Sequence, residues 1–100
     1  MITTLKTNDR YIFAYIMWDT VDKDGQKDPN GEYLFIYDLW IHVSHRGQGA
    51  LNELIGMIDA NPASKSAKWV YWEREKYGDR MSKLINRFSI AKKGVHYVVG

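Results

Sequence analysis

The chain has 100 residues, a formal charge of +2 and 45% hydrophobic residues, which is the composition of one folded domain over residues 1–100 and not of a disordered chain. It contains no cysteine, which excludes a disulfide framework, a thiol nucleophile and a cysteine-ligated zinc site. The near balance of 14 basic and 12 acidic residues does not favour nucleic acid as a partner.

No apolar run approaches the length of a membrane span, and the first ten residues, MITTLKTNDR, lack the apolar core of a signal peptide. We therefore expect a cytoplasmic protein without a membrane partner.

Two strands are predicted near the start of the chain. Residues 1–7 have the pattern of a short edge strand. Residues 11–19, YIFAYIMWD, are rich in aromatic and β-branched side chains and predict a longer strand. Because both alternating faces of this longer strand are apolar, we expect both faces to be covered.

The segment that follows has the turn signals of a hairpin loop. Residues 20–32 contain Asp24-Gly25 and Asn30-Gly31, and their acidic residues do not keep the spacing of a calcium-binding loop. Residues 33–43, YLFIYDLWIHV, then predict a strand antiparallel to the preceding one.

The rest of the chain alternates helices and strands. A helix with its apolar stripe at Leu51, Leu54, Ile55 and Ile58 is expected to end at Asn61-Pro62. Residues 68–73 predict a strand parallel to the one before the helix, residues 80–88 a second helix, and residues 95–99 a closing strand. The predicted fold is α+β, with the order β-β-β-α-β-α-β in a single mixed, mostly antiparallel sheet carrying two helices.

The junction between the third predicted strand and the first helix has the features of an anion site. The loop Arg46-Gly47-Gln48-Gly49 joins the end of the strand to the start of the helix. Glycines and a first helical turn leave backbone amides without intrahelical acceptors, and the helix dipole adds partial positive charge there. This placement predicts a phosphate-binding turn, although a tight turn without a ligand has the same sequence pattern.

The stretch DLWIHVSHRGQGAL resembles the acetyl-CoA-binding motif of the GNAT superfamily of N-acetyltransferases, in which a strand precedes Arg/Gln-x-x-Gly-x-Gly/Ala and a helix. The resemblance implies a GNAT-like fold with acetyl-CoA as co-substrate. It places the pyrophosphate at Arg46, Gly47, Gln48, Gly49, Ala50 and Leu51. It places the pantetheine arm at Ile41, His42 and Val43.

Asp38 and His42 are the candidate catalytic residues. Asp38 is the one acid inside its predicted strand, where it could be a general base for an attacking amine or a hydrogen-bonded structural acid. His42 could act as acid or base near the thioester. Asp38-Leu39-Trp40-Ile41 is also similar to a strand of the toxin-activating lysine acyltransferases, more distant relatives in which an aspartate supports catalysis.

The resemblance implies acyl transfer to an amine, with a protein or peptide acceptor favoured over a small molecule. The chain has no room for the family's N-terminal substrate-covering helices, so we expect an open acceptor site or one completed by a second copy in a homodimer. The three histidines, His42, His45 and His96, lack metal-ligand spacing, so no metal is expected.

Two departures from the family pattern support a rival hypothesis. Leu51 occupies a position that is usually small, and no tyrosine stands near Gly94 as proton donor; Tyr71, Tyr77 and Tyr97 are substitutes to consider. The rival is a non-catalytic binding protein that kept the GNAT fold and lost acetyl transfer.

Overall fold

The computed structural model describes residues 1–73 and the strand at 95–98, and these residues form an α+β fold. One five-stranded mixed sheet carries one α-helix on one face. The elements are β1 (Ile2–Lys6), β2 (Ile12–Val21), β3 (Tyr33–Ile41), α1 (Ala50–Ala60), β4 (Trp69–Glu73) and β5 (Val95–Val98). The second helix predicted over 80–88 lies outside the described residues.

The strands lie side by side in chain order, β1-β2-β3-β4-β5. β1 and β2 pair antiparallel, as do β2 and β3, which confirms the predicted hairpin. β3 and β4 pair parallel, as expected for two strands joined through a helix. β4 and β5 also pair parallel, so the described strands make two antiparallel and two parallel pairings, and the sheet is mixed as predicted. The interval between these two strands is long enough for the crossover that a parallel pair requires.

The hydrophobic core lies between α1 and one face of the sheet. The predicted apolar stripe of α1 is buried, and it packs on alternate side chains of the strands. The strand residues in this core include Ala14, Ile16, Trp18, Leu34, Ile36, Val70 and Trp72. On the opposite face of β2, Phe13 and Tyr15 are half-buried and Met17 is 41% exposed. The expectation that both faces of this strand are fully covered is therefore wrong.

Polar groups fix both ends of α1. The helix begins after Gly49, whose φ of 81° reverses the chain, and the Glu53 amide donates to the Gly49 carbonyl at 3.1 Å. After the helix, the buried Ser64 hydroxyl donates to the carbonyl of Ile58 at 2.7 Å. The same carbonyl accepts the Asn61 amide at 3.0 Å, so two donors hold the C-terminal end of the helix.

Among the described residues, no helix has the length and apolar character needed to cross a membrane.

Candidate functional site

β3 ends at Ile41, two residues earlier than predicted, because the His42 side chain caps a new turn that begins at Val43. Val43–His45 form a short 3-10 helix, and the His42 ring caps it. The His42 Nδ1 accepts a hydrogen bond from the Ser44 amide at 3.1 Å and lies 2.7 Å from the Ser44 hydroxyl oxygen. The three residues predicted to meet the pantetheine arm therefore do not form one extended strand.

The glycine loop that follows has two residues with positive φ, a conformation that residues with a Cβ rarely adopt. Gly47 has a φ of 77° and Gly49 a φ of 81°, both in the left-handed region. A Cβ at either position would meet no atom within 4 Å, so the loop faces open space. The two glycines are required by the turn and not by crowding.

In the described part of the chain, the amides of residues 47–51 donate no hydrogen bond to a backbone acceptor. They include the first amides of α1, which have no intrahelical acceptor, and they lie at the positive end of its dipole. Several outward amides at a helix N-terminus form the arrangement that holds phosphate groups in proteins.

Two exposed side chains hold the loop against the end of β3. The Arg46 Nε donates to the Ile41 carbonyl at 3.2 Å, and the Gln48 amide nitrogen donates to the Ser44 carbonyl at 3.3 Å. The first of these bonds keeps a guanidinium charge next to the loop. Arg46 thus adds a fixed positive charge to the partial charges of the amides.

Leu51 does not crowd the loop. Its side chain is 8% exposed and belongs to the core between α1 and the sheet. The large residue at a position that is usually small in the family is therefore directed away from the glycine turn.

A bulge in β3 sets the direction of the Asp38 side chain. Met17 lies opposite Asp38 and Trp18 lies opposite Ile36, so Tyr37 is an extra residue on β3. Ile36 faces the core below α1, and unbroken alternation would direct Asp38 there as well. The bulge instead places Asp38 on the face opposite α1.

Asp38 is half-buried and hydrogen-bonded on that face. Its Oδ2 accepts from the Tyr15 hydroxyl at 2.7 Å, and its Oδ1 accepts from the Leu39 amide at 2.9 Å. The Tyr15 and Trp40 rings lie with centroids 5.7 Å apart on the same face. Asp38 therefore carries a hydrogen-bonded carboxylate beside aromatic rings, and it does not lie in the apolar core.

The described ladder between β3 and β4 ends just before Asp38. It runs from Tyr33 to Ile36, while β3 continues to Ile41. Asp38 lies two residues beyond the last described pair of this ladder, on the part of β3 that leads to the glycine loop.

His42 stands at the far end of the same strand. Its ring is exposed and lies 5.9 Å from the Trp40 ring, edge to face. When the Nδ1 of the neutral ring accepts the Ser44 amide proton, the ring proton is on Nε2. His42 and Asp38 therefore share one strand, but no described hydrogen bond joins them.

The bulge residue is anchored by Asp19. The Tyr37 hydroxyl hydrogen-bonds to the Asp19 carboxylate. This carboxylate also lies 3.1 Å from the terminal ammonium of Met1 and 3.5 Å from the Lys27 Nζ. Burial by itself raises the pKa of Asp19, but these hydrogen bonds and positive charges outweigh it and lower the pKa from the usual 3.8. Burial, followed by the neighbouring Asp19 charge and hydrogen bond, raises the pKa of Tyr37 above 10.0.

Asp19 is expected to make the fold sensitive to acid. The folded carboxyl binds a proton less readily than the unfolded one, so it stabilises the fold fully above pH 3.8 and loses this contribution as the pH falls through the lower folded pKa. Asp19→Asn should therefore lose less unfolding free energy than the wild type between about pH 5 and about pH 2. Urea titrations at each pH measure this. The exposed Asp9→Asn is the control, and equal acid slopes for the two variants would contradict the assignment.

The remaining candidate residues divide between the described and undescribed parts of the chain. The Tyr71 ring packs 4.8 Å from Phe35, on the face opposite α1. Tyr77, the side chains of Tyr97 and His96, and most of the C-terminal basic residues lie outside the described residues. Within residues 1–73 and 95–98, no group of three or more histidine, aspartate or glutamate side chains is arranged to hold a metal.

Tyr15 and Tyr37 are the site residues that sequence reasoning missed. Tyr15 lies 23 residues from Asp38 in the chain, and only the register of the β2–β3 hairpin brings them together. No local pattern marks either tyrosine, because aromatic residues are common on any strand.

No protein-family model matches the chain, and no curated protein does. The assignment of function therefore depends on the residues and their geometry.

Proposed function

We propose that the protein is an acyl-CoA-dependent N-acyltransferase that moves an acetyl group from acetyl-CoA to an amine. The observation that carries this proposal is the glycine turn at Gly47 and Gly49, which leads into the N-terminus of α1 after the strand that holds Asp38. The resemblance of this stretch to the GNAT motif supports the same ligand. Within this proposal, the finer GNAT arrangement of sheet and helices is the expected fold of the whole chain.

The loop binds the pyrophosphate of the co-substrate. The amides of residues 47–51 donate to its oxygens, and the Arg46 guanidinium adds charge. The pantetheine arm follows β3 from Ile41 toward Asp38, past the end of the described ladder with β4. This path directs the thioester toward the only carboxylate within β3.

The transfer is a direct attack of the amine nitrogen on the thioester carbonyl carbon. The new carbon–nitrogen bond forms as the carbon–sulfur bond breaks, and coenzyme A leaves as the thiolate. Asp38 accepts the proton lost by the amine, directly or through one water. His42 is the candidate donor to the thiolate among the described residues: as the imidazolium it gives up its Nε2 proton and returns to the neutral ring.

A protein or peptide lysine is the proposed acceptor. The side chains around Asp38 are accessible, with Met17 41% and Trp40 37% exposed. Such an open surface suits a side chain presented by another protein better than it suits a small molecule that must be enclosed.

A second candidate function is binding without acyl transfer. Both Asp38 oxygens already accept hydrogen bonds within the protein, and the His42 Nδ1 holds the turn after β3. These contacts also suit purely structural roles. In that case the loop binds a coenzyme A group, or another pyrophosphate, without chemistry.

Calorimetric titration with acetyl-CoA tests the binding proposal, with two variants of one glycine. Gly47→Asp and Gly47→Asn add side chains of nearly equal size, and both types tolerate a positive φ. They differ in one negative charge beside the pyrophosphate. We expect Gly47→Asp to bind at least about tenfold more weakly than Gly47→Asn, since an added charge repulsion of about 1.4 kcal/mol or more corresponds to that factor. Equal affinities, or no wild-type binding at millimolar ligand, would reject this site.

Turnover separates the two candidate functions. Release of coenzyme A can be followed with a thiol reagent, because the chain itself has no cysteine. Lysine-containing peptides and small diamines are compared as acceptors. Binding with acceptor-dependent thiol release supports the transferase, whereas binding without release from any acceptor supports the second candidate.

A further inference from the structure

We infer that Tyr15 is a positioning residue, which holds the Asp38 carboxylate in place through the hydrogen bond to Oδ2. The inference rests on the proposed acyl transfer, since it assigns Tyr15 a part in that reaction.

The hairpin register places these two side chains on one face. Tyr15 lies opposite Trp40, and Met17 lies opposite Asp38. The Tyr15 hydroxyl therefore approaches the carboxylate diagonally across the strand pair, and the 2.7 Å distance is that of a strong bond to a charged acceptor.

The two donors on Asp38 act on different oxygens. The Leu39 amide holds Oδ1 at 2.9 Å, while the Tyr15 hydroxyl holds Oδ2. With both oxygens held, rotation of the carboxylate about its last side-chain bond breaks at least one hydrogen bond. A base must be aligned with the proton it removes, and these two bonds contribute to that alignment.

The tyrosine is itself held by its neighbours. Its ring is half-buried and packs against the Trp40 ring at a centroid distance of 5.7 Å. Phenylalanine at this position keeps the ring contact and removes only the hydroxyl. Tyr15→Phe therefore removes the hydrogen bond to Asp38 Oδ2 and keeps the ring.

The test compares Tyr15→Phe with Tyr11→Phe, the same change at a side chain that is 73% exposed. We expect Tyr15→Phe to lower kcat about tenfold, with the KM and calorimetric affinity for acetyl-CoA unchanged. Tyr11→Phe should match the wild type in each measurement.

A double-mutant comparison checks that Tyr15 acts through Asp38. In an Asp38→Asn background, adding Tyr15→Phe should lower the residual rate no further. Circular dichroism selects a temperature at which every variant is folded. A measurement that needs no change at Tyr15 is the hydroxyl proton of Tyr15 in the NMR spectrum, which should be visible in the wild type and lost in Asp38→Ala, whose side chain has no acceptor.

The outcomes distinguish two failures. A wild type that neither binds acetyl-CoA nor transfers acetyl overturns the proposed function, and the role of Tyr15 with it. An active wild type overturns this inference alone if Tyr15→Phe behaves as Tyr11→Phe does. Further loss in the Asp38→Asn background, or no Tyr15 hydroxyl signal in the wild type, also overturns it.

Discussion

Replacing Gly31 with alanine is expected to lower the free energy of unfolding by about 3 kcal/mol. A Cβ at this buried position would overlap the Val21 carbonyl oxygen and lie 2.6 Å from the Val21 carbonyl carbon. These are backbone atoms near the end of β2, so no side-chain rotation relieves the overlap. The Gly31 carbonyl also accepts the Ser66 hydroxyl at 2.8 Å, which ties the hairpin loop to the segment before β4.

Gly56→Ala is the matched control, because a Cβ there meets no atom within 4 Å. Gly56 lies inside α1, where alanine is favoured over glycine by about 1 kcal/mol, so this variant should be more stable than the wild type. Urea unfolding followed by the fluorescence of the buried Trp18 and Trp72 compares the two. Equal effects of the two alanines would contradict the close approach of Gly31 to Val21.

Replacing Asp38 with asparagine is expected to lower the turnover of acetyl transfer by about a hundredfold. Asparagine has nearly the same shape but cannot accept the amine proton at neutral pH. Its single amide oxygen can still accept one of the two hydrogen bonds, from Tyr15 or from Leu39, so the fold should persist. Affinity for acetyl-CoA should not change, since the loop proposed to bind pyrophosphate lies beyond the end of β3.

Asp24→Asn is the control for this change, as it removes a carboxylate from an exposed turn of the hairpin loop. Thiol release with a lysine peptide gives kcat for each variant, and calorimetry gives the affinity. If Asp38→Asn turns over as fast as Asp24→Asn, Asp38 is a structural acid and the proposed base is elsewhere.

The elements of the fold follow from local patterns in the sequence. Residues 11–19 and 33–43 predicted the two long strands within two residues at each end, and the turn glycines predicted their antiparallel pairing. The spacing of Leu51, Leu54, Ile55 and Ile58 predicted the buried face of α1. These predictions succeed because burial of alternate or helically spaced apolar residues is a property of neighbours in the chain.

The glycine loop was predicted only in part from the sequence. Its sequence predicted a sharp turn into a helix, and the positive φ angles of Gly47 and Gly49 confirm that turn. The sequence did not predict that His42 caps a new turn and ends β3 at Ile41. The His42 ring can accept the Ser44 amide only after the chain has turned at the end of β3, so no strand or helix pattern predicts this contact.

The chain by itself determined which residues form strands, helix and loop, and that one carboxylate lies within the strand before the loop. Only the tertiary structure decided where that carboxylate points. The extra residue Tyr37 shifts the register between β2 and β3, so Asp38 leaves the core face and meets the Tyr15 hydroxyl. A bulge is set by the fit of two strands and their packing, and a one-residue shift exchanges the faces of every side chain beyond it.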